Sequence, residues 1–128
     1  MTPQVAHPSP IFAIGQVAIT VRQLDRAVAF YRDVLGLPFL FESGSMAFFE
    51  CGGIRLMLGP AESSDSTWSS ILYYRTDNIQ RSAELLGVRG VQFETAPRMI
   101  ARMPDHQLWM AFFRDSEGNL AALMSEVR

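Results

Sequence analysis

Met46-Ala47-Phe48-Phe49 returns further along the chain as Met110-Ala111-Phe112-Phe113. Each copy runs into a short turn containing glycine: Glu50-Cys51-Gly52-Gly53 after the first, Arg114-Asp115-Ser116-Glu117-Gly118 after the second. Another apolar stretch follows each turn, residues 54–58 and 120–124. Apolar runs joined in this way predict β-hairpins, because glycine accepts the positive φ of tight hairpin turns. The same elements precede both copies. Val17, Ile19 and Val21 alternate with Gln16, Ala18 and Thr20, the two-residue period of a strand. Leu24, Val28, Tyr31 and Leu35 then recur at helical spacing up to Gly36, and residues 38–42 read as a further strand. In the second half, residues 71–76 read as a strand, and Asp77 or Asn78 offers a helix N-cap. Ile79, Ala83 and Leu86 form an apolar helical stripe ending at Gly87, and residues 91–94 read as the next strand. Matching order behind matching elements points to internal duplication.

The expected fold is α+β, a βαβββ module made twice. A first module over residues 11–59 and a second over 68–128 flank a polar linker at 60–67, behind an N-terminal arm at 1–10. One helix covers only one face of a four-stranded sheet. Two modules side by side therefore predict an eight-stranded open cup with helices outside and a concave face that carries the function.

Composition narrows the partners. The 11 basic residues are interleaved with 13 acidic ones for a net charge of -2, and no long basic run argues for nucleic acid or an anionic membrane. No apolar run approaches the ~20 residues of a membrane span. The arm holds Pro3, Pro8 and Pro10 and lacks the pattern of a signal peptide, so a cytoplasmic location is expected. Cys51 is the single cysteine, which excludes an intramolecular disulfide and a Cys-rich zinc site. Phosphate loops, nucleophile elbows and dinucleotide fingerprints are absent.

Gln16-Val17-Ala18-Ile19-Thr20-Val21, followed by the helix from Leu24 to Gly36, resembles the opening of a vicinal-oxygen-chelate protein, the glyoxalase, bleomycin-resistance and extradiol-dioxygenase superfamily. Phe112-Phe113-Arg114-Asp115-Ser116-Glu117-Gly118-Asn119-Leu120 resembles that family's closing Asp-Pro-Asp-Gly-Asn hairpin. The resemblance implies a paired βαβββ cup and a homodimer. It also implies a divalent metal chelating two neighbouring ligand oxygens, held by residues of the first and last strand of each module. Here the implied positions fall on Gln16, on Arg55 or Met57, on Ile71 and on Ala122. Gln16 has an amide oxygen that can bind a hard cation, but isoleucine and alanine have no lone pair and Arg55 repels a cation. Moving the register by one residue restores neither a histidine nor a carboxylate. Only two histidines exist, and His7 lies in the arm. No metal and no other cofactor are expected.

Several side chains remain as candidates. His106, at the start of the strand read over 106–114, can act as a general base, and Asp105 on the opposite strand face is not expected to orient it. Tyr73 shares strand parity with Ile71 and so should face the cup, together with Gln16, Arg55 and Met57, as a substrate-binding group. Trp68 and Trp109 are read as apolar surface for the cavity or a dimer interface. Arg98 and Arg102 would form a cationic pair if the segment 95–105, read as a loop, made a helical turn. Cys51 has no neighbour in sequence that would activate it. The expected function is metal-independent binding of a small organic molecule in the concave cavity. The alternative is a glyoxalase-like isomerase, lyase or epimerase with His106 as base and an oxyanion held by Gln16 and Tyr73.

Overall fold

The computed structural model describes residues 10–11, 13–61 and 70–128. His7 with the arm before Pro10, and Trp68 with most of the linker, lie outside the described residues. The first module contains β1 (Gln16–Thr20), α1 (Leu24–Ala29) running on as a π-helical turn (Phe30–Val34), β2 (Phe39–Ser43), β3 (Met46–Cys51) and β4 (Ile54–Gly59). The second contains β5 (Leu72–Arg75), α2 (Ile79–Val88), β6 (Arg98–Arg102), β7 (Gln107–Arg114) and β8 (Leu120–Val127). Their sheets run β1-β4-β3-β2 and β5-β8-β7-β6. In both, the first strand pairs parallel to the last and the hairpins pair antiparallel. The duplicated βαβββ architecture is therefore present.

Each sheet buries the face that carries its helix. Ala47, Phe49, Leu56 and Leu58 pack under α1 with Val28 and Tyr31; Ala111, Phe113, Ala121 and Leu123 pack under α2 with Ile79 and Leu86. Phe30 and Leu35 pack against both clusters, so the π-helical turn belongs to both modules. No helix among the described residues is long and apolar enough to cross a membrane.

The β7–β8 turn joins the modules. Tyr31 donates its hydroxyl to Asp115 Oδ2 at 2.8 Å, and Asn119 Nδ2 donates to the Thr20 carbonyl at 3.0 Å. Glu117, with only 1% of its side chain exposed, accepts from the backbone N–H of Arg22 at 2.8 Å and Gln23 at 3.0 Å, and from Arg26 Nε at 2.6 Å. Gln23 is the N-cap of α1 and Arg22 precedes it, so the carboxylate satisfies backbone donors where the chain enters the helix and complements the helix dipole. The hydrogen bond from Arg26 above all, with those from Gln23, Arg22 and Ser116, brings the Glu117 carboxyl down to about 2 from 4.5.

The second strand of the second module departs from the sequence expectation. It lies at Arg98–Arg102, not at 91–94. Val91 is buried and Phe93 makes a single bridge to Phe113, so the apolar pattern there reflects packing beneath the sheet rather than a ladder. The real strand is an edge strand, mostly exposed and ended by arginines, the charged composition that protects sheet edges and reads as a loop. Arg98 and Arg102 consequently sit at opposite ends of an extended segment, not on a helical turn.

Candidate functional site

Strand register decides which residues share the face away from the helices. Gln16 stands beside Arg55, and Ala18 beside Met57; Met57 is in turn opposite Phe48, and Phe48 opposite Phe41. In the second module Tyr73 stands beside Ala122, which is opposite Phe112. Phe48 and Phe112 are the same position of the repeated Met-Ala-Phe-Phe, so Met57 corresponds to Ala122, Ala18 to Tyr73 and Gln16 to Ile71. Of the two first-module possibilities left open by the sequence, the one equivalent to Ala122 is Met57; Arg55 corresponds to Leu120.

Gln16, Arg55 and Met57 meet. Arg55 Nε donates to Gln16 Oε1 at 3.1 Å, and Gln16 Nε2 lies 3.7 Å from Met57 Sδ. The Arg55 guanidinium lies 5.4 Å from the centre of the Phe48 ring, and Phe48 stacks on Phe41 at 4.6 Å. Tyr73, 44% exposed, meets Phe112 edge-on at 6.0 Å, an approach that the small, fully buried Ala122 between them leaves room for. Sequence reasoning overlooks the two phenylalanines. The signal for them exists: Phe48 and Phe112 alternate with the buried Phe49 and Phe113, and that parity places them on the face away from the helices.

This set does not fit a divalent metal. The one amide oxygen at the implied positions already accepts from a guanidinium, Met57 offers a neutral thioether, and Ile71 and Ala122 offer hydrocarbon. Among the described residues no group of three or more His, Cys, Asp or Glu side chains could hold a metal.

Two other sequence candidates lie elsewhere. His106 precedes β7 in the β6–β7 turn, where its carbonyl accepts from Met103 N at 2.8 Å. Six residues of extended chain separate it from Phe112, roughly 20 Å at ~3.3 Å each. Asp105 does engage it: His106 Nδ1 and Asp105 Oδ1 are 2.7 Å apart. The alternation of strand faces does not hold in a turn, which is why Asp105 can reach its neighbour. Hydrogen bonds from His106 and then Arg128 hold the Asp105 carboxyl below the usual carboxylate range. Trp109 packs with the helix-side cluster of Ile79 and Leu86, on the opposite face from Phe112. Cys51 is half-buried, and burial pushes its thiol up, away from reactivity.

Two cavities lie between the modules. One of about 190 Å³ is lined by Val17, Ile19, Tyr31, Leu72, Tyr74 and Asn119; another of about 260 Å³ is lined by Leu37, Cys51, Tyr74, Leu85, Phe113 and Leu123, among others. The buried Tyr74 hydroxyl, on the wall of both, meets no partner at full hydrogen-bond geometry among the described residues.

Known proteins resemble this chain in sequence and in fold. The metallothiol transferase FosB of Staphylococcus haemolyticus is 32% identical over 73 residues, 53% of this chain and 52% of the transferase. The chain spans about half the length of the curated relatives it matches. Among solved structures, the antibiotic-binding protein TnmS3 of Streptomyces sp. CB03234 has a TM-score of 0.76 at 22% identity, covering 93% of this chain and 99% of that one. Lactoylglutathione lyase from Agrobacterium tumefaciens has a TM-score of 0.73 at 23% identity, covering 91% and 96%. These structural likenesses establish the fold. The family model named Glyoxalase/Bleomycin resistance protein/Dioxygenase superfamily matches residues 13–123, and the chain belongs to that superfamily.

Proposed function

We propose that this chain binds a small, partly apolar organic molecule on the face carrying Gln16, Arg55, Met57 and Tyr73, and that it does so without a metal. The observation that carries the reading is the Gln16–Arg55 pair at 3.1 Å. A cation bound to Gln16 Oε1 would sit against a guanidinium. Two unit charges ~4 Å apart repel by about 4 kcal/mol at a near-surface dielectric, and a divalent ion doubles that. One neutral oxygen and a thioether do not offset it. The antibiotic-binding likeness and the transferase relative both support a small-molecule ligand.

Metal analysis of protein purified without chelator tests the reading. Well under one equivalent of nickel, zinc, manganese or iron is expected. One equivalent, lost in Gln16→Ala, would overturn it. A thermal-shift screen of small diketones, hydroxy acids and aromatic antibiotics then finds ligands through the stabilisation that binding confers.

We also propose a cytoplasmic homodimer. The edge strands β2 and β6 expose Leu40, Met99 and Ile100, apolar edge positions that a second copy would cover. Sedimentation at micromolar concentration should give a dimer, and a monomer there counts against it.

A further inference from the structure

Arg55 has Gln16 as its neighbour on one side of β4 and Glu50 on the other. An arginine so placed would ordinarily take the glutamate as counter-ion. Glu50 instead turns onto its own hairpin and accepts from Gly53 N at 2.6 Å. Among the described residues no carboxylate pairs with Arg55; its partners are Gln16 Oε1 on Nε and the ring of Phe48 beneath Cζ. Both terminal nitrogens are left as donors, and these are the pair that can grip a carboxylate in parallel. Because Nε and the ring fix the guanidinium beforehand, little side-chain entropy remains to be lost on binding.

Gln16 completes the pattern. Its oxygen is spent on Arg55, so its amide NH₂ faces the site with only the Met57 sulfur, 3.7 Å away, as a weak acceptor. The group around Arg55 therefore presents donors and positive charge but no strong acceptor. That is the inverse of a cation chelate and suits an anionic oxygen. Beside it runs an apolar row, Ala18, Met57, Phe48 and Phe41. Phe48 itself is only 8% exposed beneath Phe41, whose ring lies 28° from its plane, so the aromatic surface open to a ligand is that of Phe41, 45% exposed.

We propose that the ligand is a planar aromatic carboxylate, its acid group on the terminal nitrogens of Arg55 and the Gln16 amide and its ring against the exposed ring of Phe41. This rests on the small-molecule reading above and narrows it to a charge and a shape. The test is calorimetric titration of the full chain with 2-naphthoate and with neutral 2-naphthamide. The acid should bind about tenfold more tightly or better, since a charge-assisted pair is roughly twice as strong as a neutral one. Raising sodium chloride from 50 to 500 mM on the parent protein should narrow that preference. Arg55→Gln should abolish it while leaving the amide's affinity within about twofold, and Arg55→Lys should keep part of it; Arg55 is exposed, so thermal unfolding of both variants should match the parent. Equal binding of the two probes, a preference that survives in Arg55→Gln, or no binding of either at millimolar concentration each overturns the aromatic-acid assignment. Metal content measured on the same sample separates the two levels. Metal-free protein that fails these titrations loses only this inference, whereas a stoichiometric metal removes the reading beneath it as well.

Discussion

Helices α1 and α2 occupy equivalent places in the two modules but begin in different ways. Asn78 caps α2 with its own side chain, Oδ1 accepting from Arg81 N at 3.1 Å. Gln23 gives α1 no side-chain cap; Glu117 supplies it from the other module's hairpin. The turns differ accordingly. Gly52 and Gly53 make a tight first turn whose Glu50 satisfies only Gly53, while the longer second turn reaches across to Thr20, Arg22, Gln23, Arg26 and Tyr31. The uncovered faces differ as well. Gln16 and Arg55 give the first module charge and hydrogen-bond donors, where the second has Ile71 and Leu120. Duplication kept the strand ladders, whose hydrogen bonds tolerate little change, and let the turns and the uncovered faces diverge.

The sharpest way to break this comparison is to remove the reaching carboxylate. Glu117→Ala should destabilise the protein by about 2 kcal/mol in urea unfolding, because it leaves the Arg22 and Gln23 N–H groups at the helix entry without their acceptor. Glu50→Ala, in the equivalent turn, should cost under about 1 kcal/mol. Acid sharpens the same contrast. The Glu117 carboxyl is held lower in the folded chain than its ordinary value, so its contribution is present above pH 4.5 and is lost as pH falls toward 2. Glu117→Gln should lack that component of the acid transition.

The ladders and both helices are legible because periodicity is local: Val17, Ile19 and Val21 declare their strand to a reader who sees only neighbours. The Glu117 contacts are not, since they join residues 91 to 95 positions apart and leave no local pattern. Asp115 and Gly118 read simply as turn residues for the same reason. β6 escapes detection because edge protection and loop composition draw on the same charged residues. The metal positions can be placed from the hairpin glycine, but the diversion of Gln16 onto Arg55 is a side-chain choice that only the packed strands reveal.

Smaller effects follow. Asn78→Ala should cost about 1 kcal/mol, the usual worth of a helix cap. If that loss approaches the loss from Glu117→Ala, the contrast between a local and a borrowed cap fails. His106→Gln should leave ligand affinity unchanged, because the turn that holds His106 and Asp105 lies far from Arg55 and Phe112 along the strands. Should a substrate be found and turnover fall by roughly 10²–10⁴-fold in this variant, the share of a general base, the enzymatic alternative regains its footing.

The borrowed cap also has a consequence in time. A helix whose N-terminus is completed by a residue 95 positions downstream cannot be finished until most of the chain has been synthesised and the second hairpin has closed. Long-range closures carry their entropic cost before their reward and tend to form late. The energy held in Glu117 should therefore appear in the unfolding rate rather than the folding rate. A nascent first module would leave the ribosome with an open helix end, and the joint that forms last would be the one that keeps the native chain from opening.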